Sequence, residues 1–156
     1  MERSEAQEIL QSFWTDWRKE NGGLLPSRRD MDVRSNQLHF SYVVVFDILK
    51  DPLNYLYRLV GTSVRENTFG DYTGKNLREM EGKGPGSKIW DLLDTTRTSA
   101  QSQFQKVPYV GPNKSFMKTT LLFLPLATDH QNVDKIFLVS NFIFGSNSET
   151  VQSIAG

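Results

Sequence analysis

The stretch from residue 104 to 144 constrains this chain most. Three apolar, β-prone segments, 104–110, 115–126 and 135–144, are separated by Gly111-Pro112-Asn113-Lys114 and by Thr128-Asp129-His130-Gln131-Asn132. Connections this short cannot carry a parallel crossover, so the three segments predict an antiparallel meander. Upstream, the β-branched run 43–49 and the segment 55–60 flank Lys50-Asp51-Pro52-Leu53-Asn54, which reads as a hairpin. Apolar residues occupy both parities of the two hairpin strands. Side chains alternate faces along a strand, so both faces of this sheet must be covered.

The covering material is visible as helix signals. Ser4-Glu5-Ala6-Gln7 has the spacing of a capping box, and Ile9, Leu10, Phe13, Trp14 and Trp17 follow at helical intervals. The spacing predicts a helix over 5–20, stopped by Asn21-Gly22-Gly23. Its aromatic stripe leaves two readings open: packing on its own domain, or an interface for a dimer or partner through Phe13, Trp14 and Trp17. Asp30 or Asp32 is expected to cap a short turn running to about residue 38. Thr62 is expected to cap a short helix over 63–68, and Ser87 a longer one over 88–102 with Ile89, Trp90, Leu92, Leu93 and Ala100 on or near its buried face. The segment 75–86, with glycines at 82, 84 and 86, reads as a mobile tip. The order predicts one α+β domain: a five-stranded antiparallel sheet with the middle helices across one face. The divisions are an N-terminal helix and connection over 1–24, the sheet domain over 25–145, and a frayed tail over 146–156.

Composition narrows the chemistry. Lys plus Arg number 18 and Asp plus Glu number 18, a balance that argues against a nucleic-acid partner. Cysteine is absent, which excludes disulfides, thiolate nucleophiles and cysteinyl-flavin photochemistry. There is no apolar leader and no run of the roughly 18 residues that crosses a bilayer, so the expectation is a cytoplasmic protein with no membrane partner. His39 and His130 are the only histidines, too few for a histidine metal triad and poorly placed for haem; no metal is expected. Gly61-Thr62-Ser63-Val64-Arg65 lacks the second glycine of a nucleophile elbow, and the glycines at 82, 84 and 86 do not have phosphate-loop spacing. No catalytic constellation emerges, and the chain is read as a non-enzyme. Asp47 and Asp71 are the two carboxylates to consider if it were a small enzyme on an α+β cone scaffold.

One placement stands out. Ser140-Asn141 interrupts an apolar strand, and Thr119-Thr120 does the same in the strand before it. One residue of each pair must face the helices, where its polar group needs either a backbone partner or a bound molecule.

The motifs Leu25-Pro-Ser-Arg-Arg-Asp-Met-Asp32, Arg58-Leu-Val-Gly-Thr62, Asp71-Tyr-Thr-Gly74 and the pair Pro125-Leu126 together resemble a PAS-domain family common in alphaproteobacteria. The resemblance spans about residues 10–144. It departs from the family at Val33, before the first strand and at Phe69-Gly70, all in loops. It implies a PAS fold, often with a small-molecule pocket between sheet and helices, and a sensory or signalling role that uses a ligand, a dimer or a protein partner. No kinase, cyclase or DNA-binding segment follows, so the implied module is a standalone one acting in trans. The resemblance does not name a cofactor. On this basis Tyr57, Leu59, Trp90, Leu93, Thr120 and Asn141 are the expected pocket walls, with Thr120 and Asn141 orienting a ligand. A pure dimerisation or adaptor domain with a filled core is the alternative.

Overall fold

The computed structural model describes residues 2–36 and 38–145; the expected tail over 146–156 lies outside them. Five strands, β1 (Val43–Leu49), β2 (Asn54–Val60), β3 (Gln103–Pro108), β4 (Phe116–Leu126) and β5 (Lys135–Phe144), form one antiparallel sheet in the order β2-β1-β5-β4-β3. The hairpin β1–β2 and the meander β3–β4–β5 are joined by pairing of β1 with β5, in register from Val43 opposite Val139 to Asp47 opposite Lys135. Between β2 and β3 the chain crosses one face through α3 (Thr62–Glu66) and α4 (Lys88–Ser99). The other face carries α1 (Glu5–Glu20), followed by α2 (Arg28–Ser35). This is the α+β arrangement that the sequence predicts, a five-stranded antiparallel sheet with the middle helices on one face and an additional N-terminal helix.

Strand alternation divides the interior in two. Val43, Val45, Leu122, Leu124, Phe137 and Val139 pack under Leu10 and Trp14 of α1. Val44, Phe46, Phe123, Ile136 and Leu138 pack under Trp90, Leu92 and Leu93 of α4. Each large side chain buried in this way contributes about 1.5–3 kcal/mol. The aromatic stripe of α1 is therefore turned inward. Trp14 is buried, and its indole N–H donates to the Pro125 carbonyl at 2.8 Å. Phe13 packs against the same core, and Trp17 stacks on His130 at 5.1 Å. Of the two readings of this helix, the structure shows the one in which it packs on its own sheet.

A second residue of α1 hydrogen-bonds to the sheet. Gln7 is fully buried. Its side-chain amide donates to the carbonyls of Thr120 at 3.1 Å and Val139 at 2.8 Å. Its side-chain oxygen accepts from the Ser4 backbone N–H at 3.0 Å and the Thr120 hydroxyl at 3.2 Å. The residue that closes the capping box thus also bridges β4 and β5.

Several local expectations are corrected. Ser27, not Asp30 or Asp32, caps a full α-helix at 28–35; Asp30 reaches back to the Ser27 N–H at 2.9 Å, completing a second capping box. The cap of α3 is Gly61 rather than Thr62. A Cβ at Gly61 would collide with the carbonyl oxygens of Phe40 and Ser41, so only glycine fits between the strand end and the turn at Phe40–Tyr42. The fourth helix stops at Ser99, where Ala100 takes a left-handed conformation, φ 55°. The segment 75–86, expected to be mobile, is anchored at its start. Leu77 is fully buried, and the backbone of Tyr57 bonds to both Gly74 and Lys75 at 2.8 and 2.9 Å.

Gly61→Ala is expected to cost about 2 kcal/mol or more, because both obstructing atoms are backbone. Gln7→Leu, which keeps the volume but removes four hydrogen bonds, should cost about 1–3 kcal/mol. Urea unfolding with unchanged m-value checks both.

Candidate functional site

A cleft of about 610 Å³ opens between the sheet and the connecting helices. Its floor is the helix-facing side of β1, β5 and β4, with Val44, Leu138, Ser140, Thr119 and Leu121. Its walls are Ile89 and Leu92 from α4, Val64 from α3, and Val107 and Pro108 from β3. Tyr57 and Tyr72 close one end, their ring centres 5.4 Å apart, with Phe46 behind Tyr57 at 4.6 Å. A volume and an apolar lining of this kind, with a few convergent polar groups, suit a small organic molecule.

Those polar groups are few and specific. Ser140 and Thr119 are buried, line the cleft, and make no side-chain hydrogen bond to another described residue. Lys83 reaches in from the glycine-rich loop. Its ammonium lies 5.0 Å above the Tyr72 ring and 5.9 Å from the Tyr57 ring, and it donates to the Tyr57 hydroxyl at 3.4 Å. The loop delivers it through two successive turns, Lys83 N–H to Met80 O and Ser87 N–H to Gly84 O, with Gly82 and Gly86 at positive φ. Burial pulls the Lys83 pKa below the ordinary lysine value. Burial also pushes the Tyr57 hydroxyl up, assisted by the neighbouring Tyr72. Both shifts mark a site where charge is poorly solvated.

Of the six expected wall residues, only Tyr57 lines this cleft. Trp90 and Leu93 share its core but sit deeper; Trp90 packs edge-on against Tyr55 at 4.9 Å, and Leu93 is fully buried. Leu59 faces the α1 side. Val45 pairs with Leu59 and Phe46 with Tyr57, so Arg58 is an extra residue that reverses the parity of β2. Thr120 and Asn141 also face α1, where the Thr120 hydroxyl and the Asn141 amide both donate to the Glu2 carbonyl at 3.0 Å. Their sequence neighbours Thr119 and Ser140 face the cleft instead. One residue of each polar pair does point to the helices, but it is the other member. Lys83 escaped sequence reasoning altogether, since its glycine-flanked position reads as a solvated loop.

The two carboxylates considered for an enzyme lie elsewhere. Asp71 builds its own turn, accepting from the Thr73 N–H at 3.0 Å, with Arg65 at 3.5 Å. Asp47 is held between Arg58 and Lys135, the latter at 2.8 Å. Burial by itself raises the Asp47 pKa, but the hydrogen bonds from Lys135 and Arg58 and their charges more than offset it, and the net shift is downward. Among the described residues no three side chains form a metal-ligating group, and no helix is long and apolar enough to cross a membrane.

No protein-family model matches the chain, and no curated protein matches it either. Among solved structures it is similar to the crystal structure of a sensory box sensor histidine kinase from Vibrio cholerae, with 17% identity, 76% of this chain and 93% of that chain covered, and a TM-score of 0.48.

Because Asp47 has a folded pKa below its unfolded value, its ion pairs contribute stability above the unfolded pKa that is lost as pH falls through the folded one. Between about pH 5 and 2 the unfolding free energy of Asp47→Asn should therefore fall less steeply than that of the parent protein. Denaturant midpoints across that range check this.

Proposed function

We propose that this protein is a small-molecule sensory module that takes its ligand in the cleft between the sheet and α4, and that it is not an enzyme. The observation that carries the ligand reading is the pair of buried hydroxyls, Thr119 and Ser140. They face an apolar cleft without a protein hydrogen-bond partner among the described residues. Each hydroxyl opens to the cleft and is placed to bond to a molecule held there. The polar residues on the opposite face are treated differently: Thr120 and Asn141 donate to the Glu2 carbonyl, and Gln7 donates to the carbonyls of Thr120 and Val139.

The module reading also fits the construction of the walls. Ligand contacts come from the loop-borne Lys83, from Val64 of the short α3 and from Ile89 and Leu92 of α4, whereas the sheet beneath is a continuous five-stranded ladder. Occupancy can thus bias the position of the covering elements against a rigid floor, which is how a binding event becomes a signal to a protein partner or a second copy of the chain. A filled-core adaptor is less well supported, since a cleft of about 610 Å³ remains open under those elements.

Protein purified under native conditions should carry a small molecule detectable by native mass spectrometry, or should melt at higher temperature with members of a metabolite panel. Ser140→Phe, which projects a ring into the cleft, should abolish both while leaving the folded spectrum intact. Identical binding by that variant would remove the cleft as the site.

A further inference from the structure

The charge pattern of the cleft names a ligand class. Three lysines line it, Lys83, Lys88 and Lys106, and no Asp or Glu among the described residues does. Lys106 lies at the rim and pairs with Glu2, while Lys88 is solvent-exposed. Lys83 is different. It is half-buried, makes no ion pair with any described carboxylate, and its ammonium has as its only described hydrogen-bond partner the Tyr57 hydroxyl. That hydroxyl accepts from Lys83 and donates its own proton to no described group. The remaining N–H groups of the ammonium and the O–H of the phenol therefore converge at the tyrosine end of the cleft with no acceptor among the described residues.

Placing a cation over two aromatic rings recovers part of the lost hydration, but less than a counter-ion does. A cheaper structure would put a carboxylate beside Lys83 or a neutral side chain in its place. We propose that the missing counter-charge is the ligand's: the cleft takes an organic monocarboxylate, its two oxygens on Lys83 Nζ and Tyr57 Oη and its apolar body along Ile89, Leu92, Leu121 and Leu138. This rests on the ligand-binding reading above and specifies it. Two donors match the two oxygens of one carboxylate; a phosphate, with three oxygens and up to two charges, would ask for more donors than converge there.

The test compares acids with their neutral alcohols: octanoate with 1-octanol, and 3-phenylpropanoate with 3-phenylpropan-1-ol, by isothermal titration calorimetry on the full chain. At least one acid should bind about tenfold or more tighter than its alcohol, as expected for a charge-assisted hydrogen bond. Lys83→Met, which keeps the aliphatic stem, should bring that ratio close to one. Lys83→Arg should keep most of it, and Tyr57→Phe should reduce it several-fold. Unliganded Lys83→Met should melt at or above the temperature of the parent protein, since it loses an uncompensated charge. Acid and alcohol binding equally well to the parent protein would leave the cleft as a binding site and overturn the carboxylate assignment. No binding of either acid would overturn it too, and loss of binding to all four probes and to the metabolite panel would remove the cleft reading with it. A lower melting temperature for unliganded Lys83→Met would make Lys83 a structural contact and likewise overturn the assignment.

Discussion

The pairing of β1 with β5 is the constraint from which the rest of the molecule follows. It joins a hairpin near the start of the chain to a meander at its end, with Val43–Asp47 lying against Lys135–Val139. Once those two segments are in register, their side chains alternate between two interiors. Val43, Val45, Phe137 and Val139 go to one, Val44, Phe46, Ile136 and Leu138 to the other. A slip of one residue would exchange the two sets and leave both helical layers facing the wrong chemistry.

The two interiors are finished differently. Under α1 the surface is closed and its central polar groups are paired: Gln7 bonds to β4, β5 and the Thr120 hydroxyl, Asn141 and Thr120 both bond to Glu2, and the Trp14 indole meets Pro125. Under α4 the packing is dense near Tyr55, Trp90 and Leu93 and then opens toward Tyr57, Tyr72 and β3. The same strands thus supply a closed face and an open one. The polar groups are paired on the closed face, whereas on the open one the Thr119 and Ser140 hydroxyls have no described partner and the Lys83 ammonium has no described counter-ion.

Lys83 illustrates the trade that such a face involves. Proteins seldom bury a charge without a partner, and here burial lowers the lysine's pKa while Glu79 and Glu81, which line the adjoining pocket with it, form no ion pair to counter it. Nothing in the packing requires a cation at that position, since the rings of Tyr57 and Tyr72 would accept an aliphatic side chain of equal length. A local rule broken without structural benefit points to function.

Much of the fold could be read from the chain. The capping box at Ser4–Gln7, the hairpin around Asp51-Pro52, the cap at Ser87 and the meander after residue 102 all appear close to their predicted positions, because each depends on local hydrogen bonding or on turns a few residues long. The site was far less legible. Strand periodicity required one of Ser140 and Asn141, and one of Thr119 and Thr120, to face the helices, but not which. That choice was made by the partners across each face, above all Gln7 and Glu2 on the α1 side. The parity of Leu59 was reversed by a bulge at Arg58, which exists only because β1 and β2 pair in a particular register. Lys83 reached the cleft through turns whose direction depends on where Leu77 is buried. The sequence by itself determined the elements and their antiparallel order, since those follow from periodicity and loop length. Only the tertiary structure decided which side chains meet in the cleft, since that depends on contacts between residues far apart in the chain.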